Sequence, residues 1–380
     1  MRAIKVVLLF IMTVILGGCW DRVEVNDIAI VTAIGLDLYE DDKLRLSLQV
    51  AIPSKLGPTL SGGNGESGTF IISETGANVS DAYNNLQEKI GRQIFFSQSR
   101  VLLIGEDLAK EGVKQIVDFH TRYHEPRINS FIMITKGDAL KVLKAKPVLE
   151  SIASEESKEL AKLGKGITIY VRDFLDMLLT DGLEPIAPHY SVTSLEESKE
   201  DSEKGQKITG AAVFKDEKLV GWLDSFETRA ILWIQNKLNK GIITHHIPKE
   251  NGNGNISGQI IRAESKIVPT IENGDLKIDV NIITELKVIE NDSELNLNDS
   301  KVIEDLQKQM ETELIDKVQQ VLIKVQKDYQ SDIFGFGQRV YKEYPYEWNN
   351  KYKQNWDELF TQLDVSINAK VYLRRVGLRM

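Results

Sequence analysis

Two spacings of apolar residues alternate along the chain and divide it into strands and helices. Leu44, Leu46, Leu48, Val50 and Ile52 alternate with Arg45, Ser47, Gln49 and Ala51, and a period of two puts one face of a strand on a core. Upstream, Ile28-Ala29-Ile30-Val31 runs into Gly35-Leu36-Asp37, a buried-strand pattern, across the short polar stretch 39–43. The pair predicts a β-hairpin that stops at Pro53, which has no donor for the ladder. A short strand over Thr69 to Ser73 follows, then a helix over Ser80 to Ile90 with Val79, Tyr83, Leu86 and Ile90 three to four apart. Ile94 to Gly105 is rich in β-formers and predicts one strand. Glu106 to Tyr123 predicts one helix, with Leu108, Val113, Ile116, Val117 and His120 for its buried side. Ile128 to Ile134 is strand-like again, and 137–143, 148–163 and 170–179 are helical. Strand, helix and strand in that order predict a sheet covered by helices.

The stretch Ser194 to Gln206 carries seven charged residues without apolar periodicity and is taken as a linker. Strands over Ile208 to Phe214 and Leu219 to Leu223, a helix over Ser225 to Leu238 and a strand over Gly241 to Ile247 come after it. Two long strands, Ile256 to Pro269 and Leu276 to Val288, are hinged on Asn273-Gly274, a pair that favours a type I′ turn. From Ser300 to Tyr329 apolar residues recur every three to four positions, a helix of about 45 Å at 1.5 Å per residue. Such a stripe needs a sheet or another helix to cover it. Val365, Ile367, Ala369, Val371 and Leu373 then alternate as a final strand. The expectation is an α+β, multi-domain mixed α/β chain whose C-terminal antiparallel sheet is packed by a long amphipathic helix. Its divisions are a signal segment at 1–18, an N-terminal α/β domain at 19–135, a smaller, mainly helical domain with its linker at 136–206, and a C-terminal α+β domain at 207–380.

The first twenty residues fit neither spacing. Arg2 and Lys5 precede an apolar run from Val6 to Leu16, then Gly17, Gly18 and Cys19. A charged start, a short apolar core and small residues before a cut describe a secretory signal. The core is too short for a membrane span, which needs about 20 residues. Leu16-Gly17-Gly18-Cys19 resembles the lipobox of bacterial lipoproteins, in which the cysteine is lipidated and becomes the first residue. Cys19 is the only cysteine among 380 residues, so no internal disulfide competes for it, and a lipid thioether gives the lone thiol a purpose. Beyond Gly18 no apolar run reaches spanning length. The formal charge of −9 becomes −11 once Arg2 and Lys5 leave with the signal, which disfavours nucleic acid and anionic lipid as general partners. Lys370, Arg374, Arg375 and Arg379 near the C-terminus are a local exception, read as a solvated strand end.

Candidate chemistry is sparse. His120 and His124 stand four apart beside Glu125, a spacing that can chelate a metal, but Pro126 ends the helix and no third ligand presents itself, so both are read as surface residues. His245 and His246 are adjacent in a strand and point to opposite faces. The five glycines of 57–68 lack the Gly-Lys-Ser/Thr of a phosphate loop. Paired acids such as Glu155-Glu156 and Asp41-Asp42 sit in polar stretches read as exposed. Trp222, Trp233, Phe334, Phe336, Trp348 and Trp356 are assigned to the core. No catalytic residue, metal ligand or cofactor site is expected.

Several blocks together resemble the Ger(x)C family, the lipoprotein C subunits of spore germinant receptors. They are Cys19-Trp20-Asp21-Arg22-Val23-Glu24-Val25-Asn26-Asp27, Ala33-Ile34-Gly35-Leu36-Asp37, and the stretch from Phe96-Ser97-Gln98-Ser99-Arg100 to Gly105-Glu106. Further on come Ala211-Ala212-Val213-Phe214-Lys215, Leu219-Val220-Gly221-Trp222-Leu223, Glu227-Thr228-Arg229, Leu232-Trp233-Ile234, Asp332-Ile333-Phe334-Gly335-Phe336-Gly337 and Trp348. The resemblance implies a non-enzymatic subunit, lipid-anchored through Cys19 on the extracytoplasmic face of the spore inner membrane. It would work with two integral-membrane subunits of the A and B type in sensing nutrients that trigger germination. The alternative reading is a solute-binding lipoprotein feeding a transporter, which predicts a hinged cleft between two lobes. A third, a secreted cell-wall hydrolase, requires a buried pair of carboxylates.

Overall fold

The computed structural model describes residues 24–53, 68–123, 125–145, 152–163, 166–194 and 204–375, with single residues at 4, 147 and 150. The signal segment with Cys19, residues 57–67, His124, residues 195–203 and Arg379 lie outside the described residues.

Nine strands make the first sheet: β1 (Ile28–Leu38), β2 (Leu44–Ala51), β3 (Thr69–Gly76), β4 (Gln93–Phe95), β5 (Val101–Gly105), β6 (Phe131–Thr135), β7 (Ile186–Ser194), β8 (Lys204–Lys215) and β9 (Lys218–Asp224). The spatial order is β3-β2-β1-β5-β6-β7-β8-β9, with β4 also on β1. The hairpin forms as its alternation predicts, with Leu36 opposite Leu46. β5, β6 and β7 continue in parallel, and β8 and β9 return antiparallel. The strands lie on both sides of residues 135 and 206.

Every residue of β5 and β6 is buried, as parallel strands covered on both faces require. One face carries α1 (Val79–Lys89), α2 (Glu106–Glu111) and α3 (Lys114–Arg122). The other takes α4 (Ala139–Leu143) and α5 (Ala153–Lys162) over Ala33, Val101, Leu103 and Met133. Helix α6 (Val171–Leu179) returns to the first face through Phe174 and Met177. The α5 contact is unusually polar. The Ser157 hydroxyl lies 2.7 Å from the Tyr190 hydroxyl, and the Ser154 N–H donates to Gln49 Oε1. Glu156 is buried there, in contrast to the exposed pair its sequence predicts.

Two predicted elements are split. The strand expected over Ile94 to Gly105 is interrupted by a 3-10 turn, Phe96–Gln98, that drives Phe96 into the core beside Tyr83. Its halves pair with β1 on either side of the irregularity between Val31 and Ala33. The helix expected over Glu106 to Tyr123 breaks at Gly112, whose φ of +139° is open to glycine but strained for other residues. The next N–H, of Val113, turns away to the Glu217 carbonyl at 2.9 Å.

Helix α7 (Ser225–Ile234) leads into the second sheet, β10 (Ile242–Ile247), β11 (Gly254–Glu272), β12 (Asp275–Asn291) and β13 (Asp364–Arg375), in that spatial order. β11 and β12 turn at Asn273 and Gly274, both with positive φ as type I′ demands. β10 to β12 are antiparallel, whereas β13 joins β12 in parallel. The long helix α8 (Ser300–Lys324) explains the difference, since it carries the chain back to the start of β12 before β13 begins. Asp299 caps it by accepting from the Lys301 N–H at 2.8 Å, and a π-turn extends it to Tyr329. Leu306, Met310, Leu314, Val318, Val321 and Leu322 bury its stripe. Gln307 and Glu311 of α8 accept from the N–H groups of Leu373 and Val371, which covers part of the open edge of β13. Lys370 and Arg374, the described part of the basic C-terminal end, pair with Glu311 and Glu285.

The architecture is therefore mixed α/β, with a β-rich N-terminal sheet and a C-terminal sheet packed by a long helix. One apolar cluster is continuous from Ala29 in β1 to Val371 in β13.

Candidate functional site

A buried polar construction lies where the two sheets meet, and its centre is Asp332. The chain leaves α8 through Gln330, which has left-handed backbone, and runs through Ser331 to Gly337 into α9 (Phe336–Glu343). All four lone-pair positions of the Asp332 carboxylate are used. Oδ1 accepts from the N–H groups of Gly335 at 2.9 Å and Phe336 at 3.1 Å. Oδ2 accepts from the Gly337 N–H at 2.8 Å and from Trp356 Nε1, at the start of α10 (Trp356–Gln362), at 3.1 Å. The carboxylate also faces the N-terminus of α9, where negative charge is favoured. Burial nevertheless dominates and pushes its pKa up to about 6, against the pull of these donors.

The same segment stitches the sheets together. The Ser331 hydroxyl donates to the Phe214 carbonyl at 2.5 Å, and the Glu184 N–H donates to the Asp332 carbonyl at 2.9 Å. The Gln338 N–H donates to the Gly182 carbonyl at 3.0 Å. Gly182 and Gly337 touch so closely that a Cβ on Gly337 would lie 2.6 Å from Gly182 Cα and 2.7 Å from the Trp356 ring. Trp348 packs on Trp356 with centroids 5.1 Å apart. A cavity of about 240 Å³ opens beside them, bordered by Asp181, Glu184, Asp216, Lys353 and Asp357. Burial raises the Glu184 pKa, opposed by Lys215 at 3.0 Å, which also bonds Asp357.

Two carboxylates with raised pKa bordering one cavity invite a comparison with an acid–base pair, but the hydrogen bonds argue otherwise. A general acid or base needs an oxygen within reach of substrate. Asp332 has no acceptor position left, and Glu184 is committed to Lys215 and the Asp216 N–H at 2.7 Å. The arrangement holds a joint.

A second buried carboxylate, Asp37, ends β1. It accepts from the N–H groups of Ala139 at 2.6 Å and Leu140 at 3.1 Å, and from Arg45 at 3.0 Å. It thereby fixes the start of α4, while burial raises its pKa. Sequence reasoning quoted Asp37 and Asp332 only within the family-like blocks and gave neither carboxylate a buried role. The available signal was Asp332 three residues ahead of Gly335-Phe336-Gly337, a spacing at which a carboxylate can gather successive backbone N–H groups.

The histidines are dispersed. His120 is buried, as its helical spacing predicts and not at the surface as the metal reading had it, bonded to the Ile116 carbonyl, and burial lowers its pKa. His189 packs on Trp222 at 4.4 Å and is held down to about 4 by burial and then by Lys136. His245 points inward to Glu313 on α8 at 2.5 Å, while His246 is exposed, the opposite faces that their adjacency predicts. Among the described residues no group of three or more His, Cys, Asp or Glu side chains could hold a metal. No helix among them is long and apolar enough to cross a membrane. Trp233, Phe334, Phe336, Trp348 and Trp356 are core residues as expected, and Trp222 is half-buried.

Residues 21–192 match the family described as spore germination protein N-terminal domain. Residues 209–377 match spore germination B3/GerAC like, C-terminal. The chain is a homologue of the GerAC-type spore germination proteins. Spore germination protein KC of Bacillus subtilis (strain 168) is 29% identical over 397 residues, covering 100% of this chain and 97% of that protein. Spore germination protein B3 of the same organism is 25% identical over 383 residues, covering 99% and 98%. The crystal structure of the GerBC protein shares the fold, with a TM-score of 0.59 at 22% identity, over 90% of this chain and 96% of that one. The first matched region ends within β7 and the second begins within β8. The joint thus uses residues from both matched regions, Gly182 and Glu184 from one and Phe214 and 331–337 from the other.

Proposed function

We propose that this chain is a non-enzymatic, lipid-anchored subunit of a nutrient germinant receptor, acting in spore germination beside two integral-membrane subunits of the A and B type. One observation carries the reading above the rest. Two germination-protein families match in tandem, in a chain collinear with germination proteins KC and B3 over nearly its whole length. The lone Cys19 after Leu16-Gly17-Gly18 supports attachment by lipid at the extracytoplasmic face of the spore inner membrane. Several acyl chains on one cysteine would hold firmly where one would not. The saturated carboxylate of Asp332 supports a role in assembly over one in catalysis. The core shared by both sheets supports a rigid body over two lobes hinged about a ligand.

The test is genetic. Deletion of this subunit, in a strain also lacking paralogous receptors, should abolish nutrient-triggered germination, and unchanged germination refutes the role. A Cys19→Ala chain should leave the membrane fraction or fall in abundance. Full, functional retention in the membrane refutes the anchor.

A further inference from the structure

At the end of the first sheet where the described chain enters lies a cavity of about 630 Å³. Much of its wall is apolar: Ala29 from β1, Val50 from β2 and Ile52 just after it, Phe70 and Ile72 from β3, and Ile90 after α1. Lys89 and Arg92 also line it. Lys89 pairs with Glu74, whereas Arg92 has no carboxylate partner among the described residues. Phe70 is 42% exposed there. Arg92 and Phe70 thus share one lining, a cation and an exposed ring on a body whose net negative charge elsewhere repels anions.

The position of the cavity gives the pairing a purpose. Asn26 is part of its lining, and only seven residue steps separate Asn26 from Cys19. A fully extended chain covers about 3.6 Å per residue at most, so the cavity lies within about 25 Å of a lipid held on Cys19. A guanidinium suits a phosphate oxygen, and the apolar walls suit the glycerol and upper acyl region beneath it. We infer that this cavity is a second membrane contact that takes the headgroup of an anionic phospholipid, with Arg92 on the phosphate and Phe70 against the lipid. The inference rests on the anchor proposed above, and its test separates the two.

If Cys19 carries lipid, a cysteine introduced by Gly91→Cys, at an exposed lining position where a side chain meets open space, is the only free thiol in the full chain and can bear a fluorophore. The labelled, lipidated chain is placed on vesicles of phosphatidylcholine, with or without phosphatidylglycerol, that contain a headgroup-borne quencher. The label at position 91 should be quenched on phosphatidylglycerol vesicles and much less on phosphatidylcholine alone. Arg92→Gln should reduce that preference about fivefold, the factor for one surface cation. A label in a Tyr346→Cys chain, at a side chain 75% exposed in the C-terminal part, should stay unquenched. Hydrogen exchange of 68–72 and 89–92 in the unsubstituted chain should slow on the same vesicles, which guards against a variant that misfolds. Equal quenching on both vesicles, none on either, or no effect of Arg92→Gln overturns the inference. A label already shielded before vesicles are added also overturns it, because a segment of the chain itself then fills the cavity. Flotation on phosphatidylcholine alone reports the anchor. If the chain does not float there, the anchor fails, and the cavity contact survives only if flotation on phosphatidylglycerol depends on Arg92.

Discussion

Replacing Asp332 with Asn tests whether burial or hydrogen bonding governs the joint. The substitution keeps the shape and removes the charge, but it leaves one carbonyl oxygen where four donors converge. Two of the N–H groups of Gly335, Phe336, Gly337 and Trp356 would then face an amide NH2. At about 1–3 kcal/mol for each buried donor left unpaired, the loss is about 2–6 kcal/mol. The pH dependence is the sharper measure. Burial raises the folded pKa to about 6, above the ordinary 3.8, so the folded state binds the proton more tightly than the unfolded state. The contribution of this group is therefore full below pH 3.8 and is lost as pH rises through 6. Linkage makes the unsubstituted protein lose about 2 kcal/mol between pH 4.5 and 7.5 through this residue alone. Asp332→Asn cannot titrate, so its penalty should shrink by that amount across the interval. Urea denaturation at several pH values, followed by the fluorescence of Trp348 and Trp356, reads both quantities. A penalty that instead grows with pH would mean that the four donors outweigh burial, and the raised pKa would be wrong.

Three further outcomes follow from the geometry. Gly337→Ala places a methyl group 2.6 Å from Gly182 Cα and should lower stability by about 2–3 kcal/mol; an unchanged denaturation midpoint would show that the sheets are free to part there. Glu313 is held down to about 2, first by the hydrogen bond from His245 and then by Lys317. A lowered carboxylate stabilises above its ordinary pKa of 4.5 and loses that effect as pH falls toward 2. Glu313 is half-exposed, so after solvent screening Glu313→Gln should cost about 1 kcal/mol at pH 7 and nothing near pH 2, as measured by the denaturation midpoint at each pH. Gly112→Ala should cost about 1 kcal/mol or more, because the residue must keep its φ of +139° to let Val113 reach Glu217, and thermal unfolding will register the loss.

The parts of the fold that could be read from the sequence are those set by neighbours in the chain. The β1–β2 hairpin follows from alternation, the β11–β12 hairpin from alternation and Asn273-Gly274, and α8 from its long stripe. Features that depend on distant partners were hidden. Gly112 ends a helix because the Glu217 carbonyl waits for the next N–H, and Phe96 turns inward because β1 is irregular opposite it. Glu156 looks like a surface residue until the sheet buries it, whereas the burial of His120 follows its helical spacing. β13 pairs in parallel only because α8 reverses the path, and an alternating strand carries no mark of its partner's direction. The burial of Asp332, quoted only as part of a family-like block, was the largest feature missed. An acid in a Gly-Phe-Gly setting looks like a loop residue, and its burial arises from α10 and the 182–184 turn, far away in sequence.

The parallel pairing of β13 also sets the order in which the molecule can be assembled. β12 forms its hairpin with β11 locally, yet its other edge stays open until Asp364 reaches Lys277 and the ladder zips toward Leu373. Everything between, from α8 to α10, must already be threaded across the sheet. A chain emerging N-terminus first on the outer side of a membrane would hold a finished first sheet and an unfinished second one until its last strand arrived. During that interval the apolar face under α8 and the bare edge of β12 are the surfaces that a chaperone would have to guard. Loss of β13, Asp364–Arg375, would leave the molecule in that exposed state permanently.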